Sequence, residues 1–73
     1  MENYEFTVVF ERDEDGRFLA ICPALQGCYA EGETEVEARA NIREAIEAHV
    51  ESRREHGDPI YPEILCEKVV VAV

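Results

Sequence analysis

Residues 4–11 (YEFTVVFE) alternate: Tyr4, Phe6, Val8 and Phe10 point one way, and Glu5, Thr7, Val9 and Glu11 the other. Period two predicts a strand with one buried face. In the following Arg12-Asp13-Glu14-Asp15-Gly16, the Asp-Gly pair supplies the positive φ that a tight reversal needs. Residues 18–22 (FLAIC) read as a second apolar strand, so the two predict a hairpin. Pro23 has no N–H to give a ladder and ends that strand. Ala24, Leu25 and Gln26 then form a loop to Gly27, and residues 28–31 (CYAE) read as a short third strand closed by Gly32.

The period then changes. Thr34 followed by Glu37 fits a capping box. Ala38, Ile42, Ala45, Ile46, His49 and Val50 recur at spacings of three and four, which puts them on one helical stripe. Glu35 stands four before Arg39, and Arg43 four before Glu47, so ion pairs are expected on the outer face. Arg53, Arg54 and His56 suit the negative end of the helix dipole, Gly57 suits the residue just past the end, and Pro59 follows. Residues 58–65, with two prolines, read as a connection. Residues 66–73 read as a fourth strand whose run 69–73 (VVVAV) is apolar on both faces, the pattern of a strand covered on two sides.

The order β-β-β-α-β predicts a two-layer α+β domain with one helix on a mixed sheet. Each reversal flips the chain, so the fourth strand is expected parallel to the first, through a right-handed crossover. One sheet face would then have no helix over it and would carry Thr7, Val9, Leu19 and Ile21, a candidate contact surface. A chain of 73 residues suits one domain, here 1–73. Its thin core would gain from a partner or a second copy.

Charge narrows the partner. Seventeen acidic residues against seven basic ones give a net charge of −10, a surface that phosphate backbones repel. Direct nucleic-acid binding is therefore not expected, whereas a basic protein would be steered toward it. No stretch reaches the ~20 apolar residues of a membrane span. Met1-Glu2-Asn3-Tyr4-Glu5 has no basic segment leading into an apolar one, so a cytoplasmic chain is expected.

Candidate chemistry is sparse. Cys22, Cys28 and Cys66 are odd in number, which argues against a disulfide framework. Cys22 and Cys28, with five residues between them, are too widely spaced for a zinc knuckle. His49 lies on the apolar stripe and reads as a packing residue, and His56 as a helix-end cation. Asp13, Glu14 and Asp15 lack the spacing of a calcium loop. Cys22 has no base near it in sequence. No catalytic, cofactor or metal residues are assigned, and no enzyme activity is expected.

Two runs carry a family likeness. Gly16 and residues 18–28 (FLAICPALQGC) resemble the "G-x-Y-x-A-x-x-P-x-L-x-G-C" signature of HicB-like antitoxins, with Phe18 in place of Tyr. Residues 32–46 (GETEVEARANIREAI) resemble the second signature, "G-D-T-x-x-E-A-x-x-N-x-x-E-A-I", with Glu33 in place of Asp. The resemblance implies a partial RNase H fold and an antitoxin that binds a small basic HicA-like mRNA interferase and masks its RNA-binding or catalytic surface. Many members of that family add a C-terminal DNA-binding domain, which is not expected in 1–73. The alternative is an orphan domain of structural or regulatory role that only associates with itself, and a homo-oligomer is expected in either case. A vestigial nuclease is disfavoured by the shortage of spaced carboxylates for two-metal chemistry.

The expected partner contacts are Val9, Glu11, Asp13, Glu14, Asp15, Leu19 and Ile21. The signature residues Gly16, Pro23, Gly27, Gly32, Thr34, Glu37, Ala38, Asn41 and Ala45 read as scaffold: turns, a cap and close helix–sheet packing. Asn41 is expected to hydrogen-bond the backbone of the 23–27 loop.

Overall fold

The computed structural model describes residues 3–61 and 63–73; Met1 and Glu2, at the start of the expected leaderless terminus, and Pro62, the second proline of the connection, lie outside them. Strand β1 is Val9–Arg12, β2 is Phe18–Ile21, β3 is Tyr29–Gly32, and the helix α1 is Glu35–His56. The strands pair antiparallel in the order β1-β2-β3, with Phe10 opposite Ala20 and Ala20 opposite Ala30. The alternation read along 4–11 has the right phase: Phe6, Val8 and Phe10 pack on the core, and Val9 faces away.

Turn chemistry fixes the reversals. Asp13 Oδ1 accepts the backbone N–H groups of Asp15 and Arg17, each at 2.9 Å, while Gly16 sits at φ 82°. Beyond β2 the chain makes two consecutive turns, Leu25 N–H to Cys22 O and Cys28 N–H to Leu25 O, both 3.1 Å, with Gly27 at φ 77°. They drive Leu25 into the core beside Cys22, Cys28, Ala20, Ala38 and Ile42.

The helix is capped at both ends, though among the described residues only the hydroxyl half of the expected capping box forms, with no bond from Thr34 N–H to the Glu37 carboxylate. Thr34 Oγ1 accepts from Glu37 N–H at 3.1 Å, and Gly57 adopts φ 71° at the other end. Gly32 allows the helix to start against β3. A Cβ there would lie 2.5 Å from the backbone nitrogen of Ala38. The expected Glu35–Arg39 pair forms at 3.9 Å. Arg43 and Glu47 make no such pair and instead line a groove.

Two further expectations are corrected. Among the described residues the sheet has three strands, all antiparallel, because residues 66–73 form no ladder with it. Instead the tail is laid bare, with Ile64 99% and Val70 96% exposed. An apolar run that wants cover on two sides does not specify which chain provides it. Asn41 donates from Nδ2 to Glu31 O at 2.8 Å rather than to the 23–27 loop. It stands one helical turn past Ala38, alongside β3, so the strand end lies nearer than the loop.

Candidate functional site: the open face of the sheet

Helix α1 packs across β3 and β2 on one side of the sheet. The other side bears two cross-strand rows. Val9, Ile21 and Tyr29 stand opposite one another in the first, and Glu11, Leu19 and Glu31 in the second. Side chains two apart on a strand share a face, so the rows form one patch: an apolar row beside a row in which Leu19 is flanked by two carboxylates. Val9 is 40% and Tyr29 63% exposed, and Leu19 and Ile21 are half-buried.

The register thus brings together Val9, Glu11, Leu19 and Ile21. Asp13, Glu14 and Asp15 form the tip of the β1–β2 hairpin at the end of this surface. Within the tip the carboxylates divide. Asp13 is half-buried and spends Oδ1 on the turn, leaving Glu14 and Asp15 exposed. Tyr29 and Glu31 join the patch without a sequence signal of their own; the phase of β3 sets them there once its register against Ile21 and Leu19 is fixed. Arg17 Nε approaches Glu31 Oε2 at 3.7 Å, beyond hydrogen-bond reach, whereas Glu11 has no ion-pair partner among the described residues. The patch is therefore apolar in the middle and negative at its edge.

Among the described residues the reactive side-chain types do not assemble into a relay. Cys22 and Cys28 are buried, and burial pushes both thiols up from their ordinary range; backbone N–H groups near Leu25 and Ala24 pull Cys22 only part of the way back. A buried thiol held protonated is a poor nucleophile. A shallow cavity of about 510 Å³ gathers His49, Ser52, Asp58 and Tyr61. Among the described residues no hydrogen bond joins His49 to Ser52 or Asp58, and the imidazole of His56 meets the Ser52 carbonyl oxygen at 2.7 Å through Nδ1. No group of three or more Cys, His, Asp or Glu side chains suited to a metal ion occurs among the described residues. No helix there is long and apolar enough to cross a membrane.

Fold and surface together define a small α+β domain with a helix on one side of its sheet and an open, acid-edged face on the other. The family model described as the HicB_like antitoxin of bacterial toxin-antitoxin systems matches residues 6–70, and the chain belongs to that family. It is similar to a UPF0150 protein of Thermoplasma acidophilum, 45% identical over 56 residues that cover 77% of this chain and 81% of the relative. Two UPF0150 proteins of Synechocystis are also similar. One is 43% identical, with 89% of this chain and 82% of the relative covered. The other is 37% identical, with 92% and 93% covered. No solved structure matches.

Proposed function

We propose that this chain is an antitoxin that neutralises a small basic HicA-like mRNA interferase by occupying its RNA-binding or catalytic surface, without catalysis of its own. The observation that carries the reading is the open face. Val9, Ile21 and Tyr29 offer apolar contact, and Glu11 and Glu31 stand beside them. With the exposed Glu14 and Asp15 at the hairpin tip and a net charge of −10, the face suits a cationic surface that otherwise receives phosphate. Apolar contact would hold the complex, while charge would speed its formation and exclude RNA. The same charge disfavours DNA or RNA as a direct ligand. The domain would act in the cytoplasm, where mRNA is cleaved, and 1–73 would function as one unit.

The test is to ask whether a neighbouring reading frame encodes a short basic protein and to co-express that product with this chain. We expect growth arrest by that protein alone, rescue by this chain, and a co-purifying complex that salt weakens. A neighbouring product that is not toxic, or whose toxicity persists beside the folded chain, overturns the proposal.

A further inference from the structure

One molecule holds both an unfilled groove and an uncovered apolar arm. The groove, of about 950 Å³, runs between the helix-facing side of the β1 segment and α1. Phe6, Val8 and Phe10 form one wall, and Ile42, Ile46 and Val50 the other. It exists because α1 leans over β3 and β2 and leaves the β1 flank open, where β1 is also an unpaired sheet edge. The arm is the chain beyond Glu63. No residue of it lines the groove, and Leu65, Val69, Val70 and Val71 are exposed.

We propose that two copies of this chain form a dimer by reciprocal exchange, residues 66–73 of each running along the β1 edge of the other and filling its groove. Length fits. Eight extended residues span about 26 Å, and a helix of 22 residues about 33 Å. Pattern fits as well. In a strand added to β1, one set of alternate side chains enters the groove and the other set extends the open face beside Val9. That placement accounts for a run apolar on both faces. The departure point is fixed by Glu63, whose carboxylate accepts from the backbone N–H of Thr7 at 3.0 Å and its hydroxyl at 2.7 Å. The arm thus leaves the body at the β1 segment yet lies outside its own groove, the geometry from which like elements are exchanged between protomers. An unpaired edge strand is a template for such addition.

Charge predicts the salt response. Each copy carries −10, so the two repel, and apolar burial with backbone pairing must drive the association. Salt screens that repulsion and tightens the dimer, opposite to its effect on a complex with a basic partner. The proposal is independent of toxin binding, and the opposite salt responses keep the two distinguishable.

The test uses the full chain mixed from isotope-labelled and unlabelled protein. Light scattering should give twice the 8.3 kDa chain mass. Filtered NOE spectra should show one alternate set of arm methyls, Val70 or else Val69 and Val71, of one copy against Phe10 and Ile46 of the other. The V69E/V70E double variant, which puts a charge in each alternate set of the exposed arm, should raise the dimer dissociation constant at least tenfold while leaving a folded monomer. Arm-to-groove contacts only within one chain, a monomer at all concentrations, or a dimer that V69E/V70E leaves unchanged would each overturn the exchange.

Discussion

Thr7 and Glu63 lie 56 residues apart in sequence and are joined by two hydrogen bonds, Thr7 N–H to Oε1 at 3.0 Å and Thr7 hydroxyl to Oε2 at 2.7 Å. This clasp ties the segment before β1 to the start of the C-terminal arm. Because both residues meet solvent, its value falls in the lower part of the range for hydrogen bonds to a charged group. Glu63→Ala should cost about 1 kcal/mol in urea unfolding. A double-mutant cycle with Thr7→Val should show coupling of about 0.5 kcal/mol or more. Strict additivity would mean that the clasp does not hold in solution.

Gly32 lies close against the start of α1 at Ala38. A Cβ at Gly32 would meet Ala38 N at 2.5 Å and Glu37 Cβ at 2.8 Å, with main-chain atoms that cannot swing aside. Gly32→Ala should therefore cost about 1–3 kcal/mol, as other overpacking changes do. Gly16→Ala fails for a different reason. Nothing lies within 4 Å of a Cβ there, but φ is +82°, so the cost is the left-handed strain of about 1–2 kcal/mol. Thermal unfolding of the two variants checks both. Near-wild-type stability for Gly32→Ala would show that the helix start can shift.

Cys22 and Cys28 make stability depend on pH. Burial raises both thiols in the folded chain above their unfolded range of about 8.5. Below that pH both states keep the thiol protons, and the stability is fully present. Above it the unfolded chain loses them first, so stability falls as pH rises through the folded values. The melting temperature should decline above about pH 8.5, and less steeply in the Cys22→Ala/Cys28→Ala double variant. In native protein at neutral pH, a thiol reagent should react rapidly with Cys66 at most, with denaturant releasing the other two thiols. An alkaline slope unchanged by the double variant would remove the thiols from this role.

Signals carried within a few residues were legible in the sequence. Thr34 and Gly57 bracket the helix because capping is settled within one turn. The alternation of 4–11 gives the correct buried face because side chains alternate whatever the partner strand. Long-range pairing was not legible. The apolarity of 69–73 asks for cover on two faces but names no strand to provide it, so a fourth strand in the same sheet was a reasonable expectation that the fold does not meet. Asn41 finds its acceptor on β3 and not in the 23–27 loop for the same reason, since which carbonyl lies within its reach depends on where α1 crosses β3. Tyr29 and Glu31 escaped notice because only the β2–β3 register sets them beside Ile21 and Leu19. Asp13 shows the converse. Its carboxylate counts toward a negative tip in the sequence but is committed to its own turn in the fold.

If the open face masks a basic toxin, changes there should weaken binding without unfolding the domain. The outward positions Leu19 and Tyr29 are suited to this, because neither belongs to the buried core. Leu19→Glu and Tyr29→Ala should each keep a native-like melting temperature yet lose about 1–3 kcal/mol of affinity. Loss of the exposed Glu14 should chiefly slow association and flatten its salt dependence. The assay is cleavage of an RNA by a purified HicA-like protein, taken from a neighbouring frame where one encodes it, while this chain is titrated in. Cleavage should cease near one equivalent of wild-type chain, return as salt is raised, and persist with Leu19→Glu. Undiminished cleavage at saturating wild-type chain, or equal inhibition by folded Leu19→Glu and Tyr29→Ala, would contradict masking by this face.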